Sequence, residues 1–361
     1  MTRNTIISSK QVVLLLVLFR VFDLLTFVPQ IGGRQNGATV MLALPFSYLL
    51  LALILVPALL LLRGRREGNV VDCALALNPA AGKVLAALLF LFSVFAAADT
   101  VSNFEFLLTS AIYPETPSLF FVLTFTAVCL YGAFLGLEPV ARVNTFVFVL
   151  FVGALVFISA SVLPKSDFVY LKNPLQGGLS AVWGHALSAA FSNFDAVLFL
   201  LFAPNFKGSL SKCFWGWALL TVAMVEYLVM LLTVGLGDFA ASQMFPFYSL
   251  AAFADLSIFQ RLDSLHITLW TFIAFVKVSV YLYFASQCLG YLVPRRLKKT
   301  RLAATGILTA AGALVISSDL RFLTAVQKAM ATGIPVAVLA VLIPFVLLLW
   351  SLIARRKERA R

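Results

Sequence analysis

The chain is dominated by apolar runs about as long as a bilayer is thick. At about 20 residues per helical crossing, ten runs qualify: 10–31, 38–62, 83–110, 118–136, 143–163, 178–203, 212–236, 264–292, 302–318 and 332–354. Backbone in hydrocarbon must satisfy its own hydrogen bonds, so runs of this length predict α-helices. Composition agrees: 62% of residues are hydrophobic and 12% charged, against about 45–50% and 25% in a soluble domain. The expectation is an all-α integral membrane protein with one polytopic domain over 1–361.

A net charge of +12 would suggest nucleic acid in a soluble protein. Here the basic residues cluster between apolar runs, where they set topology, and no nucleic-acid partner is expected. Nineteen of the 27 Lys and Arg fall on the termini and one alternate set of connections, six on the other set, and Arg20 and Lys277 within runs. The positive-inside rule then places both termini in the cytoplasm. The basic stretch Pro294–Arg301 fits topology and anionic headgroups. The long opposite connection, 237–263, is apolar and aromatic, and is expected along the outer membrane surface or over an external vestibule. The first run outlasts a signal-peptide core and lacks a small-residue cleavage site, so no cleavable leader is expected.

Charges within a membrane span are costly and mark functional positions. In the first run Arg20 and Asp23 stand at i, i+3, close enough to pair. Thr26, Pro29, Gly32 and Gly33 follow, an ending that should break or kink the helix. The sixth run repeats this character, with Ser188, Ser192, Asn193 and then Asp195 near its centre. Interrupted first and sixth helices are the sign of a 5+5 inverted-repeat, LeuT-like transporter fold, with repeats over 1–163 and 178–354.

Asp99, Asn103 and Glu105 lie in the third run, Glu226 in the seventh and Lys277 in the eighth. Lys277 is too deep to reach either surface. Its fates are an ion pair with an acid on another span, a fixed cation where a transporter would bind sodium, or a proton carrier. Asp99 and Glu105 are expected toward the outer end of their span, as vestibule lining. His185 is read as a hydrogen-bonded interior residue, His266 as interfacial, and Trp183, Trp215, Trp217 and Trp270 as an aromatic belt. Cys73, Cys129, Cys213 and Cys288 have packing rather than metal or disulfide spacing. No phosphate loop, nucleophile elbow or metal cluster appears, so neither an enzyme nor a cofactor is expected.

Four stretches carry a family resemblance: ISSKQ at Ile7–Gln11, ETP at Glu115–Pro117, GLEPVAR at Gly136–Arg142, and FPFYSLAAFADLSIFQRLDSLHITLW followed by Lys277. Their order and spacing resemble the spore-germination permeases, the B subunits of germinant receptors in endospore-forming bacteria, within the amino acid–polyamine–organocation superfamily. Glu138, Arg142, Arg261 and Asp263 fall on its motifs. Gln260, where Glu is usual, and the connection Arg34–Met41 depart from its pattern. The resemblance implies binding of a small germinant, typically an amino acid, in the spore inner membrane alongside A-type and C-type subunits. Asp23, Thr26, Ser192, Asn193 and Asp195 are the expected ligand-binding residues, with Arg20, Asp99, Glu105, Glu226 and Lys277 as coupling or structural charges. The alternatives are a proton-coupled amino acid transporter working through Lys277 or Asp195, and a scaffold or ion channel that binds no amino acid.

Overall fold

Prolines, glycines and polar caps decide where the apolar runs start, bend and stop. The structure is a computed structural model and describes residues 7–26, 37–63, 68–254, 262–294 and 297–359. A two-residue strand β1 (Ile7–Ser8) leads into α1 (Ser9–Thr26). The second run is α2 (Gly37–Ile54) and α3 (Val56–Arg63), interrupted two residues before Pro57, which has no N–H to continue the helical ladder. Asn69 caps α4 (Val70–Leu77) in a reciprocal box with Asp72, and Asn78 caps α5 (Pro79–Ala111).

Between α6 (Ser118–Leu135) and α7 (Leu137–Val162) only Gly136 intervenes. Its φ of 103° is a conformation that glycine adopts without strain. The sixth run forms α8 (Gly178–Phe191) and α9 (Asp195–Phe202), followed by a second short strand, β2 (Phe206–Lys207). Next come α10 (Leu210–Leu236), α11 (Pro246–Phe253), α12 (Asp263–Leu289), α13 (Lys298–Ser317) and α14 (Leu320–Ala331). The last run is α15 (Ile334–Val336) and α16 (Ile343–Arg359), joined by a π-helical stretch, Ala337–Leu342. Pro344 lies just past that stretch, and its missing N–H accounts for the widened turn.

Among the described residues, eight helices are long and apolar enough to cross a membrane, and α8 with α9 makes a ninth, bent by 42°. With α1, which carries Lys10, Arg20 and Asp23, these elements follow the ten apolar runs. The expected break at Pro29, Gly32 and Gly33 lies outside the described residues. Leu53, Phe146, Leu219 and Ile307 are each more than 60% exposed on the outside of the bundle. Apolar surface on this scale is stable against lipid.

The central helix is α12, which packs against α1, α5, α6, α7 and α13. Parallel pairing of Ile7 with Phe206 and Ser8 with Lys207 ties the start of α1 to the end of the sixth run, so both lie at one end of the bundle. In the 237–263 connection, α11 turns Pro246, Phe247, Leu250 and Ala251 inward. Phe247 and Leu250 cover an apolar cavity reached by Leu25, Phe151, Leu228 and His266. Asp255 to Arg261 of this connection lie outside the described residues.

Two expectations are corrected. Trp217 and Trp270 are fully buried core residues, leaving Trp183 and Trp215, 48% and 43% exposed, on the surface. Both buried rings stack among aromatics, Trp217 on Phe199 and Trp270 on Phe22, contacts that proximity to a span end does not reveal. His185 is half-buried and makes no hydrogen bond among the described residues. All four cysteines are buried, and none is in a disulfide among the described residues.

Candidate functional site

The sixth run breaks where polar side chains replace its apolar pattern. The i→i−4 ladder stops with Ser192 N–H donating to Ser188 O at 2.9 Å. It restarts as shorter i→i−3 bonds from Ala196 to Asn193 and from Val197 to Phe194. Between them Asn193 donates from Nδ2 to the Tyr48 hydroxyl of α2 at 3.1 Å, while its Oδ1 is buried without a partner among the described residues. Asp195 opens α9 at 1% exposure, and neither carboxylate oxygen has a hydrogen-bond donor among the described residues. Leaving such a group unsatisfied is costly, so it is a position where structure has been given up for something else.

Four more charges surround this break. Lys277 on α12, 4% exposed, forms a salt bridge with Asp23 of α1. Its Nζ also donates to the Phe19 carbonyl oxygen at 3.2 Å and lies 5.3 Å from the centre of the Phe22 ring. Of the three fates open to Lys277, the structure forms the ion pair. The expected pairing of Arg20 with Asp23 is not formed: a desolvated ammonium on the facing helix takes the Asp23 carboxylate. Arg20 instead stands within electrostatic reach of Asp195 and Tyr48. Asp195 also feels Lys277 and Asp23, and Asp99 of α5 interacts electrostatically with Asp23 and Lys277. Asp99 accepts from Asn103 Nδ2 at 3.3 Å through one oxygen, and the other is buried without a donor among the described residues.

The remaining candidates divide. Ser192 is half-buried, and among the described residues its hydroxyl reaches Ala189 O alone, at 3.5 Å. Thr26 is committed to the fold, donating to Phe22 O at 2.6 Å and accepting from Trp270 Nε1 at 2.7 Å. Glu105 is buried rather than lining an open vestibule. It accepts from Thr109, and its second oxygen has no partner among the described residues. Glu226 is half-buried with no hydrogen bond among the described residues. Glu138 and Arg142 form an exposed i, i+4 pair at 2.5 Å on the first turns of α7, away from the break. Asp263, 2% exposed, opens α12 one turn before His266, which is itself buried. Arg261 lies outside the described residues.

Sequence reasoning missed Tyr48, which carries the bond to Asn193, and Tyr281, which interacts with Asp23, Asp99 and Asp195. It also missed Gln327 of α14, whose Nε2 donates to Asn103 Oδ1 at 2.8 Å. The cluster thus draws on α1, α2, α5, α9 and α12, and brings Asp23, Asn193, Asp195, Arg20, Asp99 and Lys277 together. Among the described residues no group of three His, Cys, Asp or Glu is arranged to hold a metal. A cluster rich in buried acceptors suits a positively charged, hydrogen-bond-donating group.

The sequence model of the family described as spore germination protein matches residues 6–319. The chain belongs to that family. The match runs from β1 through all of α13, so it takes in every residue of the charge cluster. In structure the chain is similar to a Na+-coupled sialic acid symporter solved in a substrate-bound, outward-open state. The TM-score is 0.63 at 13% identity, over 90% of this chain and 77% of the symporter. At that identity the likeness establishes the fold, an all-α membrane transporter fold. No curated protein matches in sequence. Family and fold are of transporter and receptor type rather than enzymes.

Proposed function

We propose that this chain is the ligand-sensing permease subunit of a germinant receptor, and that its ligand is an amino acid bound at the break between α8 and α9. The observation that carries the reading is Asp195: a carboxylate 1% exposed, with no donor to either oxygen among the described residues, beside an Asn193 Oδ1 that has no partner among them. An α-ammonium group supplies three donors and a positive charge to that position. The N-terminal turn of α9 offers the helix-dipole environment that suits the ligand carboxylate. Binding shifts the protein between two conformations according to its affinity for each.

The reading extends to the surroundings. The two five-helix repeats divide at about 163–178, both termini face the cytoplasm as the basic residues direct, and the membrane is the spore inner membrane. A-type and C-type receptor subunits read out the conformational change. The fold shared with a symporter favours a second reading, a proton-coupled amino acid transporter.

Thermal unfolding of the purified protein in detergent with each of the twenty amino acids tests the first reading. One or a few should raise the midpoint in the wild type and not in Asp195→Asn. A panel with no stabilising amino acid overturns it. Proteoliposome uptake separates the readings, since gradient-driven accumulation of that amino acid overturns a purely sensory role.

A further inference from the structure

The cavity under α11 shares no residue with the charge cluster. Its walls come from α1, α7, α10, α11 and α12. Leu25 in the α1 wall stands two residues past Asp23, and Leu269 in the α12 wall stands eight before Lys277, about two helical turns away. Every lining residue is buried except Ile158, which is half-buried, so these walls are the interior of the bundle and not its lipid-facing surface. His266 is the one polar side chain among them. It is 6% exposed, and its Nε2 is buried with no hydrogen-bond partner among the described residues. Asp263, one turn earlier on α12, acts on His266 electrostatically but makes no hydrogen bond to that nitrogen.

The lining selects what can occupy this space. Its volume is about 20 Å³, more than the ~10–15 Å³ that a single water takes. A buried water wants about two to four polar partners, and these walls offer one polar side chain. A zwitterionic amino acid suits it no better, because no Asp, Glu, Lys or Arg lines the cavity to answer either charge. An apolar body with one hydrogen-bonding group meets both conditions. We propose that the cavity is a second binding site, for a small apolar molecule carrying a single hydroxyl, of the class of the short-chain monohydric alcohols. The hydroxyl bonds to His266 Nε2, giving or taking the hydrogen according to the imidazole tautomer. That bond satisfies a buried nitrogen that is otherwise costly to leave unpaired. The alkyl chain lies against the leucine and phenylalanine side chains, under the cover of Phe247 and Leu250. The site stands whether or not an amino acid binds at the break between α8 and α9.

The chain has two histidines, His185 and His266, so nitrogen NMR of imidazole-labelled protein can follow each ring. In the full chain in lipid nanodiscs, titration with 1-propanol should shift the His266 Nε2 signal and saturate. His185, which does not line the cavity, should drift at most in proportion to the alcohol added. Ala154→Leu narrows the space without altering His266, and should weaken 1-propanol binding about tenfold or more. Leu250→Ala widens it and should extend saturable binding to 1-pentanol, which the wild type should take more weakly. A His266 signal that never saturates, moving only as solvent or bilayer partition would move it, overturns the proposal. Saturation with unchanged affinity in Ala154→Leu overturns it too, because the shift would then arise outside the cavity. Where Ala154→Leu does not fold, Leu250→Ala decides: equal affinity for 1-pentanol in that variant and the wild type overturns the site.

Discussion

Gln327 Nε2 donates to Asn103 Oδ1 at 2.8 Å, joining α14 to α5, and Asn103 in turn holds Asp99 through Nδ2. An amphipathic helix between the ninth and tenth runs is thereby connected to the charge cluster through one side chain. Gln327→Leu should leave Asn103 without this donor and let Asp99 move. We expect ligand affinity to fall about 3- to 10-fold, the worth of one such hydrogen bond, with the fold intact. Equilibrium binding with a melting control checks this. An unchanged affinity would show that α14 is a passive cover.

Lys277 is the most heavily engaged side chain in the cluster, bridging α12 to Asp23 and to the Phe19 carbonyl. Removing one partner of a buried pair strands the other, so Lys277→Met should destabilise the protein by about 3–5 kcal/mol. Adding Asp23→Asn should recover part of that loss, because no unpaired carboxylate remains. Thermal unfolding of both single variants and the double variant measures the coupling. Additive losses would mean that the two residues act independently.

The spans were legible because about 20 consecutive apolar residues admit one solution in lipid, and the helices follow the ten runs closely. The break at Ser192–Asn193 was legible for the same reason, as polar groups there have no apolar role. Partnerships were less so. Arg20 and Asp23 read as neighbours on one helix, yet the pairing is decided by Lys277, more than 250 positions away on a helix that packs against α1. Asn193 finds Tyr48, and Thr26 finds Trp270, by the same long-range packing. α14 escaped notice because it is amphipathic, and a window tuned to apolar length passes over it.

Tyr291, just past the end of α12, donates to Asp72 Oδ1 at 2.9 Å and accepts from Asn69 Nδ2 at 3.3 Å, joining α12 to the capping box of α4. Burial and then the Asp72 charge raise its ionisation well above the ordinary 10.0. A group raised in the fold contributes fully below its unfolded value and loses that contribution as pH rises through the folded one. Unfolding midpoints should therefore fall above pH 10 in the wild type, and Tyr291→Phe should flatten that part of the profile. Matching alkaline profiles would assign the loss to other groups.

Gly333 separates α14 from α15 at φ 75°, and a Cβ there would meet the side chain and carbonyl of Phe191, the last residue before the break in the sixth run. Both constraints oppose any other residue: the left-handed conformation disfavours a side chain, and backbone close by leaves no flexible group to move aside. Gly333→Ala should destabilise the protein by about 1–3 kcal/mol. Because the strain falls on the C-terminus of α8, ligand binding should weaken as well, although Gly333 carries no group able to touch a ligand. Melting and binding measured on one preparation separate the effects. A variant that melts like the wild type would show that the junction relaxes freely, and one that melts early but binds normally would confine the strain to α14 and α15.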